Sequence, residues 1–269
     1  MKTYRIHGAR PIEIVAVHGG PGDFGGVMQL AATLSAQYGV VEPFQTAHTV
    51  MGQVHNLHET ITKLVSHPPV IIGHSWGAWL VVIFAATYPS WVRKIILVGS
   101  GPYEHRYYPI LQQRRNKRFT DEEKRRIARL TAMLSDPKNN ATGDVLRQLG
   151  VVFSRVDNVD LLEEEAGDVE AIDPAILNMQ PLYFPGLLQE ATEMRKSGEL
   201  LRYAKKITCP VVAIHGVQDP HPYEGVQQPL QEHLSSFTCH LIQRCGHKPW
   251  LERHGRNEFY RILEHELAH

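Results

Sequence analysis

Apolar residues in this chain gather in short runs separated by longer amphipathic stretches. Residues 12–17, 40–44, 69–72, 95–98, 211–214 and 240–242 form the runs, most of them continuous and rich in Val and Ile. Such runs suit strands buried on both faces of a parallel sheet. Between them, residues 26–38, 53–65, 77–88, 225–234 and 251–268 have the length and spacing of helices. Strand–helix alternation of this kind predicts a mostly parallel, doubly wound α/β sheet.

The alternation breaks once. From Pro102 to Ala204 no clean strand is legible, and polar, helix-prone segments replace it. Thr120-Asp121-Glu122-Glu123 has a capping-box pattern, and Ile127, Leu130 and Leu134 follow at helical spacing. The expected organisation is a core of residues 1–101 and 205–269, with 102–204 inserted as a helical cap over the carboxyl edge of the sheet.

Composition narrows the function classes. The chain has 269 residues, 43% hydrophobic and 21% charged, enough for one large catalytic domain or a core with a smaller insert. Lys plus Arg equals Asp plus Glu at 28 each, so no net basic field draws nucleic acid. Cys209, Cys239 and Cys245 are odd in number and lack CxxC spacing, which argues against a disulfide framework or thiolate zinc site. The apolar run at 12–17 is short and contains Glu13, and no run approaches a membrane span of about 20 residues. The expectation is a cytoplasmic protein without nucleic-acid or membrane partners.

Four motifs fall at strand ends, where open parallel sheets place their ligands. Gly73-His74-Ser75-Trp76-Gly77 lies between a strand and an apolar helix. A serine raised above the sheet needs a sharp turn crowded by backbone, hence Gly two residues to either side, with Ser75 as nucleophile. His18-Gly19-Gly20-Pro21-Gly22 ends the first buried strand. The N–H groups of Gly20 and Trp76 are the candidate oxyanion donors, with Gly19 and His18 bracing the loop. Asp219 follows the strand at 211–214, with Glu224 as its nearby rival, and His247 lies between the last strand and the last helix. The order Ser75, Asp219, His247 suits a nucleophile, an orienting carboxylate and a general base. This chemistry needs no cofactor or metal, only a small ester or amide substrate.

Together these matches resemble the α/β-hydrolase superfamily over nearly the whole chain outside the insert. The HGGPG loop and the Trp after the serine resemble its proline iminopeptidase and esterase-like branch. The resemblance implies an α/β-hydrolase fold with a helical cap. Two departures stand out: the start of the chain leaves room for at most one strand of the usual first hairpin, and the elbow reads GHSWG where the peptidases show GGSWG. The peptidases hold the substrate ammonium with cap carboxylates, and Glu163, Glu164, Glu165, Asp168 and Glu170 occupy this cap without aligning to that role. The implied activity is acyl transfer from an ester or amide, with prolyl aminopeptidase, carbon–carbon bond hydrolase and a non-catalytic ligand receptor as alternatives.

Other features carry less. His55 and His58 share a helix face beside Glu59, but no further metal ligand is implied. The basic stretches 114–118 and 124–129 are interleaved with Asp121–Glu123, which suits a solvated cap surface. Cys245 has no elbow of its own to make it a nucleophile.

Overall fold

The computed structural model describes residues 2–134, 142–162, 171–177 and 179–269. Its strands are β1 (Tyr4–His7), β2 (Ile12–Val17), β3 (Gly39–Pro43), β4 (Val70–His74), β5 (Lys94–Val98), β6 (Val211–Gly216) and β7 (Phe237–Ile242). Its helices are α1 (Met28–Leu34), α2 (Val50–Leu64), α3 (Trp76–Thr87), α4 (Tyr108–Asn116), α5 (Asp121–Leu134), α6 (Thr142–Asp157), α7 (Pro174–Leu177), α8 (Gln180–Lys196), α9 (Glu199–Ala204), α10 (Glu224–His233) and α11 (Arg256–Ala268).

The strands form one sheet in the order β1-β3-β2-β4-β5-β6-β7. All neighbours pair in parallel except β1, which runs antiparallel to β3 with Tyr4 opposite Pro43. Strands β3 to β6 are buried throughout, which is why their sequences are dominated by apolar residues, with Glu42, His74, Lys94 and His215 as buried exceptions. Edge strand β7 alternates imperfectly with polar residues and begins three residues before its legible apolar part.

Helix α3 lies at the centre of one face. Every residue from Trp76 to Ala85 is buried, so this helix is apolar all round rather than amphipathic. It packs between the sheet, α2 and α9. The opposite face is covered by α1 and α11, through Leu30, Ala31, Phe259 and Leu263. Helix α2 starts three residues before its apolar pattern, because Thr49 accepts a hydrogen bond from Gly52 N at 3.0 Å and caps it.

Helices α4 to α9 lie between β5 and β6 in the chain. The Thr120 box closes on α5: Glu123 Oε2 accepts from Thr120 N at 2.8 Å, and Thr120 Oγ1 accepts from Glu123 N at 3.2 Å. Leu187, Ala191 and Met194 of α8 and Leu200 of α9 join the apolar cluster around α3. Glu190 of α8 accepts from Val50 N at 2.9 Å, so a carboxylate of this segment caps α2. Glu163, Glu164, Glu165, Asp168 and Glu170 lie outside the described residues.

Candidate active site

The turn from β4 to α3 is built by contact between backbones. A Cβ on Gly73 would lie 2.5 Å from Gly77 O, and one on Gly77 would lie 2.5 Å from Val17 O and 2.6 Å from His18 O. The elbow thus closes on itself and on the end of β2, and only glycine fits. Ser75 between them adopts φ 54° and ψ −111°, a conformation that costs a non-glycine residue about 1–3 kcal/mol. Its N–H donates to Val98 O at 3.0 Å, tying the turn to β5.

The HGGPG loop lies against this elbow. A Cβ on Gly19 would come within 2.8 Å of His74 Nδ1 and 3.3 Å of Ser75 Cβ. His18 is buried, donates from Nδ1 to Gly19 O at 2.9 Å and meets the Phe24 ring edge-on at 5.0 Å. Burial lowers its pKa despite the Gly19 bond, so it is a neutral brace for the loop. Gly20 has φ 37°, and Trp76 opens α3, where the first N–H groups lack helical partners.

At the ends of β6 and β7, Asp219 is fully enclosed and holds three histidines. His247 Nδ1–H donates to its Oδ2 at 2.7 Å. His221 Nδ1–H donates to its Oδ1 at 2.8 Å, and His221 N to the same oxygen at 2.9 Å. His215 Nε2–H donates to His221 O at 3.0 Å and lies 3.3 Å from Oδ2. Burial opposes the Asp219 charge, but the charges of His247 and His221 and these bonds outweigh it and hold the carboxyl well below its usual range. Burial likewise opposes a charge on His247, yet the Asp219 charge and hydrogen bond raise its pKa above the ordinary 6.5. The rings of His221 and His247 stack at 4.3 Å and 19°.

Several contacts seat His247 itself. Its N–H donates to Asp157 O at 3.0 Å, and its carbonyl accepts from His74 Nε2 at 3.2 Å. Gly99 leaves room for the imidazole, since a Cβ there would sit 3.1 Å from Nδ1. His74, next to Ser75, has its ring 4.8 Å from that of His247. Asp219 and His247 are thus joined, and both share the carboxyl edge with Ser75. Among the described residues no hydrogen bond joins Ser75 Oγ to His247. Such bonds are often long without substrate and tighten when it binds.

The sequence pointed to Ser75, Asp219 and His247 but not to their surroundings. Arg115 of α4 clasps Asp157 of α6 with two bonds of 2.7 and 2.5 Å and reaches His221 Nε2 at 3.4 Å. Glu224, the rival carboxylate, pairs instead with Arg114 at 3.0 Å. The basic stretch at 114–118 is therefore largely engaged inside the protein, and Arg118 donates to Val156 O and Gln218 O. Asp157, His221 and His247 offer atoms within 4.8 Å of one another, a spacing that approaches a metal site. Arg115 already occupies the Asp157 carboxylate, and its charge opposes a cation there. His55 and His58 instead lie against the ring of Tyr88. Cys209, Cys239 and Cys245 are free, and burial raises the pKa of the Cys245 thiol well above its usual value.

Comparison with known proteins follows the same lines. A curated relative, pimeloyl-[acyl-carrier protein] methyl ester esterase of Nitrosomonas europaea, is 24% identical over 181 residues, 67% of this chain and 65% of that protein's length. The crystal structure of VinJ superposes with a TM-score of 0.68 at 15% identity, covering 98% of this chain and 94% of that one. Proline iminopeptidase of Mycobacterium smegmatis superposes with a TM-score of 0.63 at 19% identity, covering 98% and 93%. The sequence pattern of the alpha/beta hydrolase family matches residues 14–259. With that match across most of its length, the chain belongs to the alpha/beta hydrolase family.

Proposed function

We propose that this protein is an esterase-type serine hydrolase that cleaves a small carboxylic ester or amide through an acyl-enzyme intermediate. The observation that carries the reading is the 2.7 Å bond from His247 to buried Asp219, at the sheet edge that also holds Ser75 at positive φ. With Nδ1–H committed to Asp219, the His247 Nε2 lone pair takes the Ser75 proton as the hydroxyl oxygen bonds to the carbonyl carbon. The carbonyl oxygen becomes an oxyanion facing the N–H groups of Gly20 and Trp76. Collapse breaks the bond to the leaving group, which receives the proton from His247. Water then repeats the sequence on the acyl-enzyme, releasing the acid and restoring Ser75. Asp219 stays ionised throughout and fixes the imidazole tautomer. The chemistry calls for no cofactor.

The curated relative's name favours an ester over an amide. The HGGPG loop keeps prolyl aminopeptidase as the second reading, and relative rates on a short-chain p-nitrophenyl ester and a prolyl arylamide separate the two. In this reading, residues 102–204 act as the cap, and the protein works on a small molecule in the cytoplasm. Among the described residues no helix is long and apolar enough to cross a membrane.

The direct test is Ser75→Ala. Ester hydrolysis is expected to fall by about 10³-fold or more. A fluorophosphonate should add its mass to the unaltered protein and not to the variant. Undiminished hydrolysis by Ser75→Ala overturns the assignment, and a chain that neither hydrolyses nor labels is a binding protein on this fold.

A further inference from the structure

Among the described residues, Arg195 is a buried cation with no anion beside it. It lies near the end of α8 and is only 6% exposed. Its Nε is sealed from solvent with no hydrogen-bond partner. Among the described residues no carboxylate lies near enough to act on its charge, and the neighbouring titratable group is the Tyr108 hydroxyl. Other guanidiniums of the same segment are matched: Arg114 by Glu224, Arg115 by Asp157, Arg155 by Glu123. Arg195 instead faces two aromatic rings, Tyr108 at 4.5 Å and Trp79 at 5.5 Å. Cation–π contacts return only part of what a guanidinium loses on leaving water.

Its position ties it to the site. Trp79 is four residues beyond Ser75, one turn along α3, and its indole N–H donates to Gly101 O beyond the end of β5 at 3.0 Å. Tyr108 opens α4, the helix that carries Arg115 to Asp157 and His221. Met194, the residue before Arg195, belongs to the apolar cluster that also holds Val50, Trp76, Trp79 and Leu80. An unmatched positive charge of α8 therefore lies against the tryptophan one turn beyond the nucleophile and the tyrosine that opens α4, with apolar residues beside it.

We propose that Arg195 is the receptor for a free carboxylate on the substrate, held apart from the scissile carbonyl by a short apolar spacer. The proposal rests on the hydrolase reading above and names its substrate class: a carboxylic ester or amide that is also a monoanion. A guanidinium presents two parallel N–H donors that match the two oxygens of a carboxylate. One unpaired cation among aromatic and aliphatic groups balances one negative charge. A phosphate dianion would leave an excess charge, because Arg114, Arg115 and Arg155 of the same segment are already paired.

Two isosteric ester pairs test this. Mono-p-nitrophenyl adipate against p-nitrophenyl hexanoate places the carboxylate on the acyl side. Acetoxybenzoate against p-tolyl acetate places it on the leaving group. The unaltered protein is expected to favour the anionic member of at least one pair by about tenfold in kcat/KM. Arg195→Met should abolish that preference, and Arg195→Lys, which keeps the charge but not the fork, should retain part of it. Equal or better hydrolysis of the neutral member in both pairs overturns the proposal, even if Arg195→Met does not fold. So does a preference that survives Arg195→Met or Arg195→Lys unchanged. Binding without turnover separates the two readings. Hexanoate should raise the Tm of the unaltered protein more than hexanamide does, and less so in the variants. Carboxylate-dependent stabilisation without any ester hydrolysis rejects the hydrolase and keeps the receptor; hydrolysis without discrimination does the reverse.

Discussion

His247 and His221 hang from the two oxygens of one carboxylate, yet they titrate in opposite directions. Burial pushes His221 down to about 4, and the Asp219 charge does not recover it against the nearby charges of His247 and Arg115. Burial works on His247 too, but there the Asp219 charge and hydrogen bond, helped by Asp157, win. At neutral pH, His221 is therefore a neutral spacer, its Nε2 lone pair facing Arg115, and the pair offers one basic imidazole. In the proposed mechanism His247 must be neutral to take the Ser75 proton. With its pKa raised, it stays protonated to a higher pH than an ordinary histidine, so activity is lost as pH falls through a value above 6.5. The acid limb of kcat/KM for a p-nitrophenyl ester should lie there, and a limb at or below 6.5 contradicts the assignment. Asp219→Asn removes the charge that holds the pKa up. It should move the limb toward acid and lower kcat by about 10³- to 10⁴-fold.

At the scale of elements, the glycines of the elbow act on two strands at once. Gly77 is the first-turn residue of α3 that touches the backbone of Val17 and His18, neither of which can yield without moving the end of β2. Gly77→Ala should therefore push the HGGPG loop away from Ser75 as well as straining the helix. A loss of about 1–3 kcal/mol in urea unfolding is expected, with reduced ester hydrolysis. A variant with unchanged midpoint and rate refutes this packing. The elements themselves were unequally legible. β3 to β6 are enclosed on both faces, so selection for burial leaves short stretches dominated by apolar residues. β1 is four residues of mixed polarity, YRIH, and is specified by pairing with β3 rather than by its own pattern. α2 begins at Val50 because the side-chain oxygen of its cap, Thr49, meets the Gly52 N–H, a local event that apolar spacing does not register.

At the scale of the whole molecule, the residues at strand ends were legible because chain order and position carry them. Ser75, Asp219 and His247 follow β4, β6 and β7 in chain order, and Asp219 and His247 do meet. Arg115, Asp157, Arg195 and Glu252 were not legible. Their partners lie far along the chain, and their roles depend on how helices pack rather than on any local pattern. Glu252 shows what such a contact does. Its carboxylate is fully enclosed and accepts N–H groups from Gly246 at 3.0 Å, Val159 at 2.9 Å and Asp160 at 3.0 Å. Asn158 adds a bond from Lys248 N at 2.8 Å, and Asp157 O takes the His247 N–H. The loop bearing His247 is thereby stitched to the segment after α6, so the inserted residues fix the geometry of a core histidine. Glu252→Gln keeps the shape but replaces one acceptor oxygen with an NH2 that faces N–H donors. At least one buried donor then loses its partner, at a cost of about 1–3 kcal/mol. Urea unfolding of Glu252→Gln should show that loss, and kcat for a p-nitrophenyl ester should fall as the His247 loop loosens. An unchanged unfolding midpoint means that the carboxylate does not hold the two segments together, and the dependence of His247 on the insert goes with it.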